Sequence, residues 1–161
     1  LSVTFFKSAE DALEVATKIY LAGPLFCEAE LDFNRKLAGK LRGYGFEVFL
    51  PQELGFDVGR TVAADGRDAY IRIFDSDLSA LRSCNVLVMV MDGRVPDEGA
   101  CVELGIAFGS GIECFGFKTD VRTSEYGTDN FMITGALKGR VANDAEGLRD
   151  LIYSAVGTSN D

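Results

Sequence analysis

The chain of 161 residues contains no histidine and no tryptophan. Without imidazole, Ser-His-Asp and Cys-His nucleophile pairs, His-ligated zinc and the zinc deaminase signature are all excluded. Proton transfer near neutral pH therefore falls to carboxylates, Cys, Lys, Tyr or water. Long apolar runs are missing too: no stretch reaches the roughly 18 to 20 residues a membrane span needs, so no membrane partner is expected. The opening segment, LSVTFFKSAEDALEVATK, is interrupted by Lys7, Glu10, Asp11 and Glu14 and does not read as a signal peptide. Leu1 in place of Met leads us to expect a processed or trimmed start. Basic charge is scarce as well. The 16 Lys and Arg stand against 25 Asp and Glu, a net charge of −9, so the average field repels phosphate backbones and no nucleic-acid partner is expected. Cys27, Cys84, Cys101 and Cys114 show no CxxC spacing, which leads us to expect buried, reduced thiols in a cytoplasmic protein.

What remains is ordinary globular composition, 47% hydrophobic and 25% charged, at a length that suits one domain. Residues 1–17 are set apart as an extension of unassigned role, and residues 18–161 as a single domain. KIYLAG at 18–23 predicts a buried strand stopped by Pro24. Phe33, Leu37 and Leu41 then recur at four-residue spacing, which predicts an amphipathic helix over 28–42 closed by Gly43 and Gly45. FEVFL at 46–50 predicts a second strand, followed by a loop over 51–66 with no periodic signal; loops of that length are more often functional than idle. A helix over 67–83 leads to NVLVMVM at 85–91, a strand apolar on both faces. The turn DGRVPDEG, a helix in ACVELGIAFGSG and a strand over 112–117 follow. A polar loop, the short apolar segment FMITGAL, and a helix over 145–156 capped by Asn143 or Asp144 complete the chain. This alternation predicts an α/β fold, a doubly wound, mostly parallel sheet with helices on both faces. Ligands in such sheets sit beyond the strands' carboxyl ends. Here that rim comprises Gly23, Pro24, Leu25 and Phe26, the loop after Leu50, the turn from Asp92 to Gly99, and the loop after Phe117.

The rim turn carries Asp92, Asp97, Glu98 and Glu103 within 12 residues. Helix-dipole preference alone accounts for Asp97 and Glu98. Glu103 is different: flanked by Val102 and Leu104, and on a face with Ala100 and Ala107, its carboxylate falls among small apolar residues, and buried carboxylates are rare unless paired or used. Asp77 breaks pattern in the same way, occupying the stripe of Tyr70, Ile73 and Leu81, unless the helix boundary lies a residue or two away and turns it to solvent. Together the two could supply one ionised nucleophile and one protonated acid. Tyr20, in the first strand, reads either as a core aromatic or as a hydroxyl partnered by a carboxylate on a neighbouring element. No Walker pattern and no G-x-G-x-x-G follows the first strand, and GSG at 109–111 reads as a turn.

KIYLAGPLF, FDSDLSALRSCNVLVMVMDG and PDEGACVELGIAFGSG, in this order and spacing, resemble the nucleoside 2-deoxyribosyltransferase family from Lys18 to Leu137. The most specific element is D-x-G-x-x-x-E-L-G-x-A, here Asp97, Gly99, Glu103, Leu104, Gly105 and Ala107. The resemblance implies a flavodoxin-like five-stranded fold and exchange of nucleobases on 2-deoxyribose through a covalent glycosyl-enzyme. It implies Glu103 as nucleophile, Asp77 as the acid serving the leaving base, and Tyr20 as the group that orients the nucleophile. Asp97, Gly23, Pro24, Phe26 and Gly99 are implied in substrate binding. Asn130 is implied as a residue given to a neighbouring subunit's site, hence a homo-oligomer, dimer or higher. The implied partners are a small deoxynucleoside and a free nucleobase, with no cofactor and no metal. The loop GPLFCEAEL has no Arg, which favours free nucleosides over 5′-monophosphates, although Arg94 or Arg122 could serve from other loops. Glu98 replaces a small hydroxyl residue of many relatives. Two alternatives stand beside the transferase: a 2′-deoxynucleoside or deoxynucleoside 5′-monophosphate N-glycoside hydrolase, and a non-catalytic nucleotide-binding or sensing domain.

Overall fold

Every residue of Val86–Val90 is buried, as an apolar strand at the centre of a doubly covered parallel sheet must be. The computed structural model describes residues 17–54, 63–64, 66–123 and 126–157; the extension 1–16 and most of the second rim loop, residues 55–62, lie outside them. The described strands are β1 (Lys18–Ala22), β2 (Glu47–Phe49), β3 (Val86–Val90), β4 (Glu113–Phe117) and β5 (Val141–Ala142). They form one sheet in the order β2-β1-β3-β4-β5, and all four pairings are parallel. The helices are α1 (Glu28–Gly43), α2 (Arg67–Arg82), α3 (Glu98–Gly109), α4 (Phe131–Ala136) and α5 (Ala145–Gly157), with a 3-10 turn at Pro51–Leu54. The expected α/β sheet is therefore present, in the flavodoxin-like order.

Strand parity sorts the side chains into two cores. Ile19, Leu21, Val86, Val88 and Val90 face α1 and α5. Tyr20, Ala22, Leu87 and Met89 face the other way, packing with Leu81 of α2, Leu104 of α3 and Ile133 of α4. Tyr20 thus lies under the two helices that carry Asp77 and Glu103. Strand order reverses between β1 and β3, and a crevice opens beyond the carboxyl ends of strands at such a switch point. The two ends approach closely: a Cβ on Gly23 would lie 2.9 Å from Val90 Cβ.

Several sequence expectations are corrected. FMITGAL contains a helix, α4, whose first turn is capped by Asn130; six residues are too few to show a helical period. Helix α3 starts at Glu98 rather than Ala100, because Asp97 Oδ2 accepts the Ala100 N–H at 2.7 Å and caps it there. The fifth strand, β5, is only Val141–Ala142. Asp144 Oδ1 accepts the Gly147 N–H at 2.7 Å at the start of α5. In α1 Leu37 and Leu41 are buried as expected and Phe33 packs partly buried against the same core, while the buried stripe also takes in Asn34 and Ala38. All four cysteines are free, but Cys27 is exposed, since it precedes α1 on the rim rather than lying in the core. Tyr70 is 62% exposed, so the apolar stripe of α2 does not extend to its first turn. No helix among the described residues is long and apolar enough to cross a membrane.

Gly116, in β4, leaves room for the layer above it: a Cβ there would come within 2.8 Å of Met91 Sδ and 2.9 Å of Leu137 Cδ1 and Val141 Cγ2. Overpacking of this kind costs about 1–3 kcal/mol. Gly116→Ala is therefore expected to lower the urea midpoint by that equivalent with an unchanged m-value; an unchanged midpoint would mean that the layer yields freely.

Candidate active site

The centre of the site is a hydrogen bond between elements far apart in sequence. Tyr20 Oη donates to Glu103 Oε1 at 2.6 Å across 83 positions. Tyr20 is fully buried, fixed by its strand and stacked on Phe49 with ring centroids 5.3 Å apart. Glu103 is the middle residue of the run Val102-Glu103-Leu104, on the flank of α3 that turns toward α2. Asp77, on α2, lines the same cleft, about 270 Å³ in volume, with Gly99 and the apolar side chains of Phe74, Leu78 and Val102. Helix α2 continues through Asp77 to Arg82, so its carboxyl is half-buried beside Glu103 and not turned to solvent.

Both carboxyls are desolvated, and burial disfavours their charged forms. Burial pushes Glu103 up to about 7; the Tyr20 hydrogen bond pulls it down, and the charges of Asp77 and Asp97 push it further up. Burial also raises Asp77. The Tyr20 hydroxyl is itself held well above its usual range, by burial first and then by the Glu103 charge, so it remains a donor at any physiological pH. The expected contrast between an ionised and a protonated carboxyl is not seen in the free protein: burial raises both, and the Tyr20 hydrogen bond only partly offsets it at Glu103.

The remaining expected residues fall in three places. Asp97 caps α3, and Gly99 leaves room for that cap, since a Cβ on Gly99 would lie 3.1 Å from Asp97 Oδ2. Gly23 and Pro24 end β1 at the rim, and Phe26 beyond them is 79% exposed. Asn130 Oδ1 accepts the Met132 N–H at 2.9 Å, and its residue lines clefts bounded by Leu104, Gly105 and Phe108 and by Met91, Arg94 and Lys118. Those residues of α3 lie on the flank opposite Glu103. A single chain therefore does not bring Asn130 into the cleft of Asp77 and Glu103.

Sequence reasoning missed two sets of contacts. Asp92 joins the loops after β3 and β4, accepting the Thr119 N–H and hydroxyl, each at 2.6 Å, and the Asp120 N–H at 2.7 Å. Asp120 in turn accepts from Gly93 N at 3.3 Å and from Arg122 Nε at 2.8 Å. Arg122, one candidate for holding a phosphate, is thus already engaged, and its guanidinium holds Asp120 well below the usual carboxylate range. The second set is Asn34 and Gln52. Its signal was a polar residue, Asn34, on the same face of α1 as Leu37 and Leu41. Among the described residues no group of three His, Cys, Asp or Glu side chains is arranged to hold a metal ion.

The sequence matches the family model described as nucleoside 2-deoxyribosyltransferase over residues 19–147. An uncharacterized protein of Ureaplasma parvum serovar 3 is 28% identical over 96 residues, 55% of this chain and 57% of that protein. The chain thus spans little more than half the length of the curated relative it matches. Among solved structures, a conserved protein from Enterococcus faecalis V583 is similar at a TM-score of 0.70 and 26% identity, covering 87% of this chain and 99% of that one. A 2-deoxyribosyltransferase from the psychrotolerant bacterium Bacillus psychrosaccharolyticus is similar at a TM-score of 0.67 and 25% identity, covering 83% of this chain and 91% of that one.

A carboxylate that must be ionised to react loses activity as pH falls through its pKa. A deoxynucleoside assay is therefore expected to show kcat/KM rising with pH through an acid limb near 7. Tyr20→Phe removes the contact that lowers Glu103 and is expected to move that limb upward. A limb that stays in place in a folded Tyr20→Phe protein would show that Tyr20 does not tune Glu103.

Proposed function

The chain belongs to the nucleoside 2-deoxyribosyltransferase family, and from that premise we propose that it transfers 2-deoxyribose between nucleobases through a covalent deoxyribosyl-glutamate on Glu103. The observation that carries this reading is the pairing of Glu103 with the Tyr20 hydroxyl at 2.6 Å, in a cleft that Asp77 also lines. In the first displacement a Glu103 carboxylate oxygen bonds to C1′ as the C1′–N bond breaks. The bond's electron pair goes to the base, and the Asp77 carboxyl delivers a proton to the departing nitrogen. In the second, the acceptor base attacks C1′ from the vacated side, its proton passes to Asp77, and the C1′–O bond returns its electrons to Glu103. Two inversions give retention, and the oxocarbenium-like transition states are stabilised by the negative field of the site. Burial favours the protonated form of Asp77, which suits an acid; burial likewise raises Glu103 to about 7 against the pull of the Tyr20 contact, so the nucleophile is predominantly ionised only above that pH.

Asp97 keeps Oδ2 on the α3 cap, and the proposal assigns its other oxygen to a sugar hydroxyl. Asp77 and Glu103 lining one cleft, the charge of Asp97 close enough to act on Glu103, and the prior engagement of Arg122 by Asp120 favour an uncharged deoxynucleoside over its 5′-monophosphate. Self-association is supported by the face that bears α2, α3 and α4. Phe74, Val102, Phe108, Phe131 and Met132 are all at least 50% exposed there, and apolar surface gathered in this way marks an interaction site. A second copy seated on that face would bring Asn130 of one chain to the other's cleft.

Glu103→Ala is expected to lower exchange by about a thousandfold or more. Intact-protein mass after brief incubation with a deoxynucleoside should show a deoxyribosyl adduct in the wild type and none in the variant. An adduct that persists in Glu103→Ala would remove the nucleophile assignment. Asp77→Asn should cut kcat by about 10²–10⁴-fold while KM moves little; a change in KM alone would make Asp77 a binding group. Deoxyinosine with and without adenine separates transferase from hydrolase, since deoxyribose release that ignores the acceptor base belongs to the hydrolase. Sugar exchange that keeps full specific activity on dilution to monomers would remove Asn130 from the site.

A further inference from the structure

Asn34 is the one polar residue buried in the core among the described residues, 3% exposed on the stripe of α1 that packs beneath β1. Burying an amide is costly unless its hydrogen bonds are made. Its donors serve two different rim loops: Nδ2 donates to the Pro24 carbonyl at 2.8 Å and to Gln52 Oε1 at 3.4 Å. Gln52 passes the tie back to α1, its Nε2 donating to the Leu31 carbonyl at 2.8 Å. Asn34 Oδ1 is buried without a partner among the described residues, so the donor side of the amide is the side in use. Pro24 lies four residues after Tyr20 in the same strand exit, and Gln52 stands in the 3-10 turn that follows β2.

We propose that Asn34 is a positioning residue: by holding Pro24 and Gln52 together from below, it sets the distance between the exit of β1, the strand that carries Tyr20, and the 3-10 turn Pro51–Leu54 on the rim where substrate would enter. Several observations point the same way. Gly23, the residue before Pro24, is seated against Val90, and a Cβ there would also lie 3.7 Å from Asn34 Oδ1, so the strand exit is wedged between β3 and Asn34. The exit is tied to α1 a second time, by Phe26 and Cys27 N–H groups donating to Glu30 Oε2 at 2.9 and 3.0 Å. The Tyr20–Glu103 bond itself runs between β1 and α3 and does not pass through Asn34. The effect on turnover therefore falls on substrate capture at the mouth, not on the chemistry beneath it. This part rests on the proposed deoxyribosyl transfer; the loop geometry does not.

Two measurements keep the inference and that reading apart. Asn34→Leu has the same branched shape and no donor, and Gln52→Leu removes the other end of the bridge while leaving the Pro24 bond in place. Amide hydrogen exchange in both variants is expected to accelerate at least tenfold at Phe26 and Cys27 while Val86–Val90 keeps wild-type protection. In the exchange assay, both are expected to raise KM about tenfold with kcat within threefold of wild type. The double variant should be no worse than the more affected single one, because the two residues share one tie. Unchanged exchange at Phe26 and Cys27 in either folded variant would overturn the inference, whatever the wild type catalyses. So would a fall in kcat with KM unmoved, or effects that add in the double variant. Accelerated exchange in a protein whose wild type transfers no sugar would keep the positioning role and dismiss the transferase reading.

Discussion

The site depends on one costly contact, a carboxyl group held out of water against a buried phenol. Glu103 and Tyr20 meet at 2.6 Å because each is placed by an element it cannot leave. Tyr20 takes the α3 side of the sheet through the odd–even parity of β1, with Ile19 and Leu21 filling the other core. Glu103 reaches it because Asp97 stops α3 at a fixed residue and Gly99 leaves that cap unobstructed. Sliding α3 by one residue would turn the carboxyl by about 100°. The cap therefore does more than satisfy an N–H; it sets the angle at which the helix presents its one buried acid.

The sequence made this site legible where a polar group violated an apolar pattern. Glu103 between Val102 and Leu104, and Asp77 above Leu81, stood out because carboxylates rarely occupy such places. Tyr20 was ambiguous from the sequence, since a buried strand aromatic looks the same whether or not its hydroxyl is used. Asn34 violated a pattern too: it lies three, four and seven residues before Leu37, Ala38 and Leu41, which are buried with it. The four-residue spacing of Phe33, Leu37 and Leu41 marked this face without drawing in the amide beside Phe33. Helix α4 and strand β5 left little trace because six and two residues are shorter than the periods that would announce them. The clasp of Asp92 on Thr119 and Asp120 joins positions 27 and 28 apart, a relation that no local pattern encodes.

The lack of histidine acquires a cause in this arrangement. Burial moves Glu103 to about 7, the range in which imidazole would otherwise be the natural choice. In the proposed chemistry two carboxyls, one bonded to a phenol and one left to burial, would serve as nucleophile and acid in its place. The surplus of acidic residues has two parts: a few line the cleft, and others, such as Asp32 beside Arg35 and Lys36, are paired on the surface, where ion pairs contribute little to stability.

The 83 residues that separate Tyr20 from Glu103 have a consequence for biosynthesis. At roughly 5–20 residues per second, a ribosome delivers the second partner roughly 4 to 17 s after the first. For most of that interval the nascent β1 has no β3 to pair with, since β3 begins at Val86, and throughout it the phenol has no acceptor. The parallel neighbours of this sheet are distant in sequence, and such pairings form slowly. A chain stalled before α3 therefore holds Tyr20 and Asp77 but not the contact between Tyr20 and Glu103, which forms only after α3 has cleared the exit tunnel and docked.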